Sequence, residues 1–402
     1  MATATTPTPA DEVDWPRVTR EVADDLAVDA SVRDRAGKPP YDEAARLREA
    51  GLPALLTPPA TGRPGADWRS ACAAIREISA ADSSMGELLA HHSVLTWSAR
   101  FLGSGGERRL ERRFERRFER RVLREGWLLG GGIDVPGTEA GPGLTLTPEG
   151  AGYVLNGRRD FDAGVAVADR LIVGARCTAT GDVRIALVDP ADPGVRVDPD
   201  HDRLGQRLTG GGGVGFDDVP IDVADILGTV PRDEHAIAPF TALAPLALRL
   251  TLVHVTLGVA EGALAEARDI SRAAQAARRP ATDGDDPYLL LAYGELATAA
   301  HTAATVVDHA TEALARGLAA GTALDVDGLA GIAVPVAAAE AVTGRAAVHI
   351  TTRVLELTDT TGFDRFWRNA RVLTARTSPA HRLREIGDHY LNGTLPHLAP
   401  RS

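Results

Sequence analysis

Two adjacent histidines, His91 and His92, are the side chains of this sequence best suited to moving a proton near neutral pH. An imidazole has an ordinary pKa of about 6.5, so either ring could give or accept a proton in that range. Both follow Asp82, Ser83 and Ser84, residue types that cap helix N-termini, and the sequence therefore places them on a helix. A histidine on a helix is more commonly a core or boundary residue, so a catalytic and a structural role both stay open.

Two glycine-containing segments could approach a flat or phosphorylated ligand. Residues 156–164 read Asn-Gly-Arg-Arg-Asp-Phe-Asp-Ala-Gly, in which glycine lets the backbone come close to a planar ring and Phe161 could pack on its face. The Asn-Gly pair after an apolar run also predicts an ordinary hairpin turn. Residues 205–213 read Gly-Gln-Arg-Leu-Thr-Gly-Gly-Gly-Gly, and these glycines could offer N–H groups to a phosphate or form a flexible turn.

Composition excludes several classes of function. A net charge of -11 provides no global positive field, so we expect neither a nucleic-acid partner nor an anionic membrane. The two cysteines, Cys72 and Cys177, cannot build a disulfide framework and fit a reducing cytoplasm. The other histidines lack the spacing of a metal site, so no metal is expected. The longest apolar run, 236–260, is interrupted by Arg249, His254 and two prolines and predicts a bundle helix, not a membrane span.

The chain of 402 residues is long enough for two or three packed units. Its Thr- and Pro-rich start, 1–15, is expected to be a disordered leader. Helical patterning over 16–128 gives way to short β-branched runs divided by turns over 129–232, and long Ala- and Leu-rich segments return over 233–402. These patterns predict a mainly α protein with an inserted β domain and about four antiparallel C-terminal helices.

The C-terminal segments carry a family resemblance. Residues 363–371, Phe-Asp-Arg-Phe-Trp-Arg-Asn-Ala-Arg, and 383–388, Leu-Arg-Glu-Ile-Gly-Asp, together with 205–210 and 286–288, resemble the acyl-CoA dehydrogenase superfamily. More narrowly, they are similar to its reduced-flavin-dependent monooxygenase branch. The resemblance covers essentially the whole chain after the leader. It implies an acyl-CoA dehydrogenase-like fold: an N-terminal helical domain, a small β barrel or sandwich, and a C-terminal four-helix bundle.

The resemblance also implies an activity. It suggests the oxygenase subunit of a two-component enzyme, which takes reduced flavin, FMN rather than FAD, from a separate NAD(P)H-flavin reductase and uses O2 to oxygenate a small-molecule substrate. No dinucleotide-binding fingerprint is evident in the chain, in agreement with a separate reductase. A cytoplasmic homotetramer is the expected assembly. The alternatives are an acyl-CoA dehydrogenase or oxidase and a non-catalytic flavin- or ligand-binding scaffold.

The resemblance assigns roles to individual residues. His92 matches a histidine that could give a proton or orient the substrate, with His91 beside the substrate. Three positions depart from the family pattern, with Gly131 for an asparagine, Ala163 for a serine and Arg376 for a histidine. Asp162 and Arg376 are the replacements that could orient a different polar substrate. The residues expected to bind the cofactor are Gly131, Phe161, Ala163, Gly164, Arg279 and Trp367.

The dehydrogenase alternative requires a carboxylate that removes the α proton of an acyl thioester. Superfamily dehydrogenases place this glutamate either after the C-terminal aromatic-Arg motif or on the first helix of the bundle. Here the first position is Thr377 and the second is Leu248. Neither side chain can accept a proton, and a substitute among Glu261, Glu266 and Glu356 would need a different geometry. The sequence therefore predicts no dehydrogenation of acyl-CoA.

Overall fold

The computed structural model describes residues 13–57, 66–102, 108–133, 143–200, 202–233, 236–277, 287–358, 362–376 and 379–394. The N-terminal part is helical, as its patterning predicts. Its helices are α1 (Trp15–Ala27), α2 (Ala30–Ala36), α3 (Tyr41–Glu49), α4 (Trp68–Ala81), α5 (Ser83–Thr96), α6 (Ser98–Leu102) and α7 (Arg108–Glu125), with a 3-10 turn at Leu52–Ala54.

Helix α5 lies at the centre of the protein, and all its residues are buried. Its start is fixed by Asp82, whose carboxylate accepts hydrogen bonds from the backbone N–H groups of Ser84 (3.0 Å) and Met85 (3.2 Å). Gly86 lets α5 approach α4, because a Cβ at this position would lie 1.8 Å from Ser79 Oγ. The helix that carries both histidines therefore packs against several other elements, among them α4 and the first strand of the sheet.

The middle of the chain forms one mixed sheet in the order β6-β7-β3-β2-β4-β5-β8, with β1 pairing with β4. Strands β1 and β2 run parallel to β4, and the other pairs are antiparallel. The sheet is not closed within the described residues, so the expected small barrel or sandwich takes the form of an open sheet. The strands are β1 (Leu129–Gly132), β2 (Thr145–Glu149), β3 (Gly152–Phe161), β4 (Arg170–Cys177), β5 (Val183–Val188), β6 (Val195–Pro199), β7 (Gly212–Ile221) and β8 (Ile226–Val230).

The hairpin turn expected at Asn156-Gly157 is wrong. Both residues lie inside β3, at a register shift opposite β7, where Gly157 has a φ of +122°. The Asn156 side chain is held by a distant partner, since its Oδ1 accepts from the Asp218 N–H (2.9 Å) and its Nδ2 donates to Asp218 Oδ1 (2.9 Å). The pair therefore makes a β-bulge that is fixed by a residue of another strand.

The C-terminal part is helical again, which confirms the predicted order of helical, β and helical parts. Three long helices, α8 (Leu243–Ala277), α9 (Pro287–Ala320) and α10 (Val326–Thr358), are followed by two short ones, α11 (Asp364–Ala375) and α12 (Pro379–Asn392). Helix α10 packs against the other four. The domain limits at 16–128, 129–232 and 233–402 stay a prediction.

Helix α8 connects the bundle to the N-terminal helices. Its Gly262 lies against α4, where a Cβ would be 2.1 Å from the backbone oxygen of Ala80. Helices α8 and α10 are long and apolar enough to cross a membrane, but 78% and 50% of their most apolar windows are buried within the protein itself. Burial of this kind is what core helices of a bundle show.

Candidate functional site

The three parts of the fold meet along the first and middle turns of α5. Strand β1, the turn after β3, the loop before β7 and the end of α11 all converge there on buried polar side chains. The centre of this junction is Glu87, whose side chain is 0% exposed. Its Oε1 lies 2.7 Å from Nη1 of Arg376, and its Oε2 accepts a hydrogen bond from Gln206 Nε2 at 2.7 Å. The buried carboxylate is thus neutralised by one guanidinium and bound by one amide.

His91 and Asp162 complete this group, which we call the junction cluster: Glu87, His91, Asp162, Gln206 and Arg376. His91 Nε2 is 3.9 Å from Glu87 Oε1, too far for a hydrogen bond, and it has no hydrogen-bond partner among the described residues. Burial lowers the pKa of His91 below its ordinary value even though Glu87 and Asp162 favour its charged form. His91 is therefore a neutral imidazole at pH 7 with an unsatisfied nitrogen.

The two replacements singled out by sequence, Asp162 and Arg376, act on each other in the structure. Burial opposes ionisation of Asp162, but Arg376 and His91 outweigh it and hold the pKa of the carboxyl below its usual value. Burial likewise opposes the charge on Arg376, while Glu87 and Asp162 raise its pKa above the ordinary value. Asp162 keeps more contact with solvent than the other members of the cluster, although its carboxyl group is desolvated by its neighbours. The junction cluster is thus a set of charges that stabilise one another, with Glu87 and Arg376 as its ion pair.

His92 lies away from the junction cluster. The backbone N–H of Leu129 donates to its Nδ1 (3.0 Å), so this nitrogen carries no proton, and Nε2–H donates to the Pro53 oxygen (2.8 Å). Its side chain is 1% exposed, and burial lowers its pKa to about 4. Both nitrogens connect α5 to neighbouring backbone, so the contacts favour the structural role for His92 and leave His91 as the histidine of the site.

The Gly205–Gly210 segment is a largely buried turn that is held by hydrogen bonds to other elements. Gln206 adopts a left-handed conformation (φ 53°), and its N–H donates to Asn369 Oδ1 at 2.7 Å. Asn369 Nδ2 in turn donates to Ser83 Oγ at 2.9 Å, which joins α11 to the first turn of α5. Thr209 Oγ1 donates to the Asp162 backbone oxygen at 2.9 Å. The motif therefore fixes the elements that carry Glu87, Asp162 and Arg376.

Only some of the residues expected to bind the cofactor lie beside the junction cluster. Gly131 (φ +106°) is required by packing, because a Cβ there would lie 2.1 Å from the backbone oxygen of Ile172. Phe161 is buried, with the Arg159 guanidinium 5.1 Å from its ring centre, and Ala163 and Gly164 follow it in the turn beside the junction cluster.

Trp367, half-buried on α11, has Arg371 at 5.8 Å from its ring. Arg279 and Thr377 lie outside the described residues. The residues present fit a flavin at this junction in one respect. A polar ring edge would satisfy His91 Nε2, which no described residue does.

A cavity of about 810 Å³ opens on the bundle side of the junction cluster, between α8, α10 and α11. Arg376 lies in its wall and reaches from there to Glu87. The volume suits a small organic molecule. Within the described ranges, no group of three or more His, Cys, Asp or Glu side chains is arranged to hold a metal ion.

Glu87 is the site residue that sequence reasoning missed. It is the single charged residue of α5, and it stands four positions before His91, so the two share a face of the helix. A lone acid in an otherwise uncharged helix is a signal for a buried partner of opposite charge. That partner, Arg376, comes from the far end of the chain.

Comparison with known proteins places this architecture in a family. Residues 15–114 match the family model described as acyl-CoA dehydrogenase, N-terminal domain. Dibenzothiophene monooxygenase of Rhodococcus qingshengii is 30% identical over 397 residues, covering 94% of this chain and 93% of that protein. A probable FMNH2-dependent monooxygenase of Pseudomonas putida is 28% identical over 394 residues, covering 94% and 95%.

A solved structure gives the same result. The dibenzothiophene monooxygenase of Paenibacillus sp. A11-2, in complex with FMN and indole, superposes with a TM-score of 0.85 at 30% identity, covering 96% of this chain and 99% of that one. Fold and site define a protein of the acyl-CoA dehydrogenase class. The chain belongs to the acyl-CoA dehydrogenase superfamily, in the branch of the flavin-dependent monooxygenases.

Proposed function

We propose that this chain is the oxygenase subunit of a two-component monooxygenase that uses reduced FMN and O2 to oxygenate a small organic molecule. The relatives named above are monooxygenases, two of them with FMN or FMNH2 in their descriptions, and they match nearly the whole chain. The observation that carries the proposal is the junction cluster, in which His91, with an unsatisfied nitrogen, lies 3.9 Å from the Glu87 carboxylate that pairs with Arg376 and within electrostatic range of Asp162. Such a cluster can orient a polar substrate and exchange one proton with it.

The site residues of this chain would have separate roles in binding the cofactor, binding the substrate and exchanging a proton. Phe161, Ala163 and Gly164 on the sheet side and His91 on the helical side would line the cofactor. Reduced FMN, when bound, supplies the electrons for the reduction of O2. His91 Nε2 would hold or exchange a proton with the substrate, while Arg376 binds an electron-rich group. The buried surroundings of α5 exclude water, which strengthens these electrostatic interactions.

Partners and assembly follow from the same proposal. A separate NAD(P)H-flavin reductase would supply the reduced FMN. We also propose a cytoplasmic homotetramer, for which exposed apolar side chains on α9 and α12 offer contact surfaces: Tyr288 (82% exposed), Leu291 (62%), Tyr390 (87%) and Leu391 (79%).

The function is tested by mixing anaerobic protein and FMNH2 with buffer that contains ¹⁸O2, with indole and dibenzothiophene as probe substrates. We expect the protein to bind FMNH2, to change its rate of reoxidation relative to free FMNH2, and to place one ¹⁸O atom in a product. The non-catalytic scaffold would bind flavin without altering reoxidation. Reoxidation at the rate of free FMNH2, together with no measurable FMN binding, would show that the proposed function is wrong.

A second experiment concerns the dehydrogenase alternative. Leu248 is partly buried against the helical core, and the acid in the wall of the cavity that its neighbour Arg249 lines is Glu340. Glu340 Oε2 is occupied by Arg249 Nη2 (2.9 Å) and Arg382 Nε (3.0 Å). We therefore expect no enoyl-CoA from butyryl-, octanoyl- or palmitoyl-CoA with a dye as electron acceptor, using protein shown to bind FMN. Enoyl-CoA formation from any of them would favour the dehydrogenase instead.

A further inference from the structure

The cavity between α8, α10 and α11 is strongly basic. Five arginines and one acid, Glu340, contribute to its wall. Three of the arginines lie inside, and two lie at its rim. They are Arg249, Arg376 and Arg382 inside and Arg345 and Arg371 at the rim. Since the whole chain carries a net charge of -11, a cavity with this lining is a local exception to the charge of the protein.

The inner arginines are unequally neutralised. Arg376 is paired with Glu87, and Arg382 with Glu385 (2.8 Å). Arg249 shares its acid, because Glu340 Oε2 also lies 3.0 Å from Arg382 Nε. Its Nη1 is buried and has no hydrogen-bond partner among the described residues. Burial lowers the pKa of Arg249 below its ordinary value despite Glu340, so the charge of this guanidinium is incompletely compensated.

The rim arginines add to the excess positive charge. Arg345 and Arg371 are exposed, and neither forms an ion pair with a carboxylate of the described residues. The rest of the wall contains apolar side chains, including Leu252, Val348 and Val372. An anionic group in the cavity would be stabilised by the positive charge of Arg249 and of the rim arginines, and an apolar body would be stabilised by these apolar side chains.

We propose that this cavity binds the substrate as a small organic anion, a carboxylate or an oxyacid of sulfur on an apolar body. The acidic group would lie against Arg249, with the rim arginines attracting it from solution. The volume of about 810 Å³ accommodates such a molecule, and Arg376 in the same wall connects it to the junction cluster. The assignment of the bound anion as substrate rests on the proposed function, whereas its binding does not.

The test is binding of two probes of the same shape, benzoate and benzamide, to the flavin-free protein by titration calorimetry. Benzoate should bind about 10- to 100-fold more tightly than benzamide, the range of a charge-assisted hydrogen bond. Arg249→Leu should remove this preference, and Arg249→Lys should retain part of it. Arg268→Met serves as the matched control, since Arg268 is on the same helix, is exposed and pairs only locally with Asp269.

Equal affinities of wild-type protein for benzoate and benzamide would overturn the proposal without reference to any variant. An unchanged preference in a folded Arg249→Leu protein would overturn it as well. Because no flavin is present, a failure here differs from a failure of the oxygenase. If the protein binds benzoate selectively but does not promote the reaction of FMNH2 with O2, the anion site would be confirmed and the proposed function would be wrong.

Discussion

Arg376→Met should reduce oxygenation by about 100-fold or more, the size of effect typical for removing a charged group from a preorganised site. The same change also destabilises the fold. Without Arg376, the Glu87 carboxylate, which is 0% exposed, would keep only the hydrogen bond from Gln206. Removing one partner of a buried ion pair destabilises a protein by about 3–5 kcal/mol. We therefore expect the melting temperature to fall together with the activity, measured by calorimetry and product formation.

A double variant separates the two effects. Glu87→Gln with Arg376→Met removes both charges, so it should regain much of the stability while activity stays low, because Asp162 and His91 still lack the guanidinium. Arg384→Met, an exposed change on α12, should leave both quantities unchanged. Wild-type activity and melting temperature in Arg376→Met would mean that the junction cluster has no catalytic role.

The order of helical and β parts could be predicted because it rests on local signals. Apolar periodicity, β-branched runs and the Asp82 cap act over a few residues, and the structure reproduces them. The Asn156-Gly157 pair shows the limit of local reasoning. Its turn preference was overridden by Asp218 on another strand, which no short window of sequence contains.

The site itself could be predicted only to within a residue. Successive positions of an α-helix point about 100° apart, so His91 and His92 face different neighbours although they are adjacent. One points to Glu87 and the other to the backbone of Pro53 and Leu129. Sequence similarity selects a short stretch of a helix, whereas the direction of each side chain depends on what packs around it.

The charge pairing of the site could not be predicted, for a related reason. The sequence indicates Asp162 and Arg376 as residues that could orient a polar substrate, but their effect on each other depends on the turn after β3 and the end of α11 meeting at α5. The acid that joins them, Glu87, gave only a local signal. A sequence shows that a helix contains one acidic residue, but the fold determines which cationic side chain pairs with it.

The second large effect concerns acid stability, which should depend on His92. Its pKa is about 4 in the folded protein and about 6.5 when unfolded, so between these values the unfolded chain binds more protons. Stability from this group is complete above pH 6.5 and is lost as the pH falls to about 4. The loss is about 3 kcal/mol of unfolding free energy. His254, with a pKa of about 3, adds a loss that extends to lower pH.

His92→Gln should therefore be less stable than wild type at pH 7, by about 1–3 kcal/mol for the lost hydrogen bonds, yet lose about 3 kcal/mol less on acidification to pH 4. Urea unfolding at fixed protein concentration across this range measures both. His301→Gln, an exposed change on α9, should follow the wild-type curve. The Arg48–Asp169 ion pair (2.9 Å) near His92 is present in every variant and so cancels in the comparison.

The same variants decide between the two roles of His92. A proton donor would lose about 100-fold in activity on replacement while the folded protein kept its stability. A residue that holds α5 against Pro53 and Leu129 would show the reverse, with a lower melting temperature and activity that largely survives in the folded fraction. We expect the second result, because both nitrogens of His92 are already bonded to backbone, whereas His91 Nε2 has no hydrogen-bond partner among the described residues. If the unfolding free energy of His92→Gln depends on pH in the acid range as that of the wild type does, this assignment is contradicted.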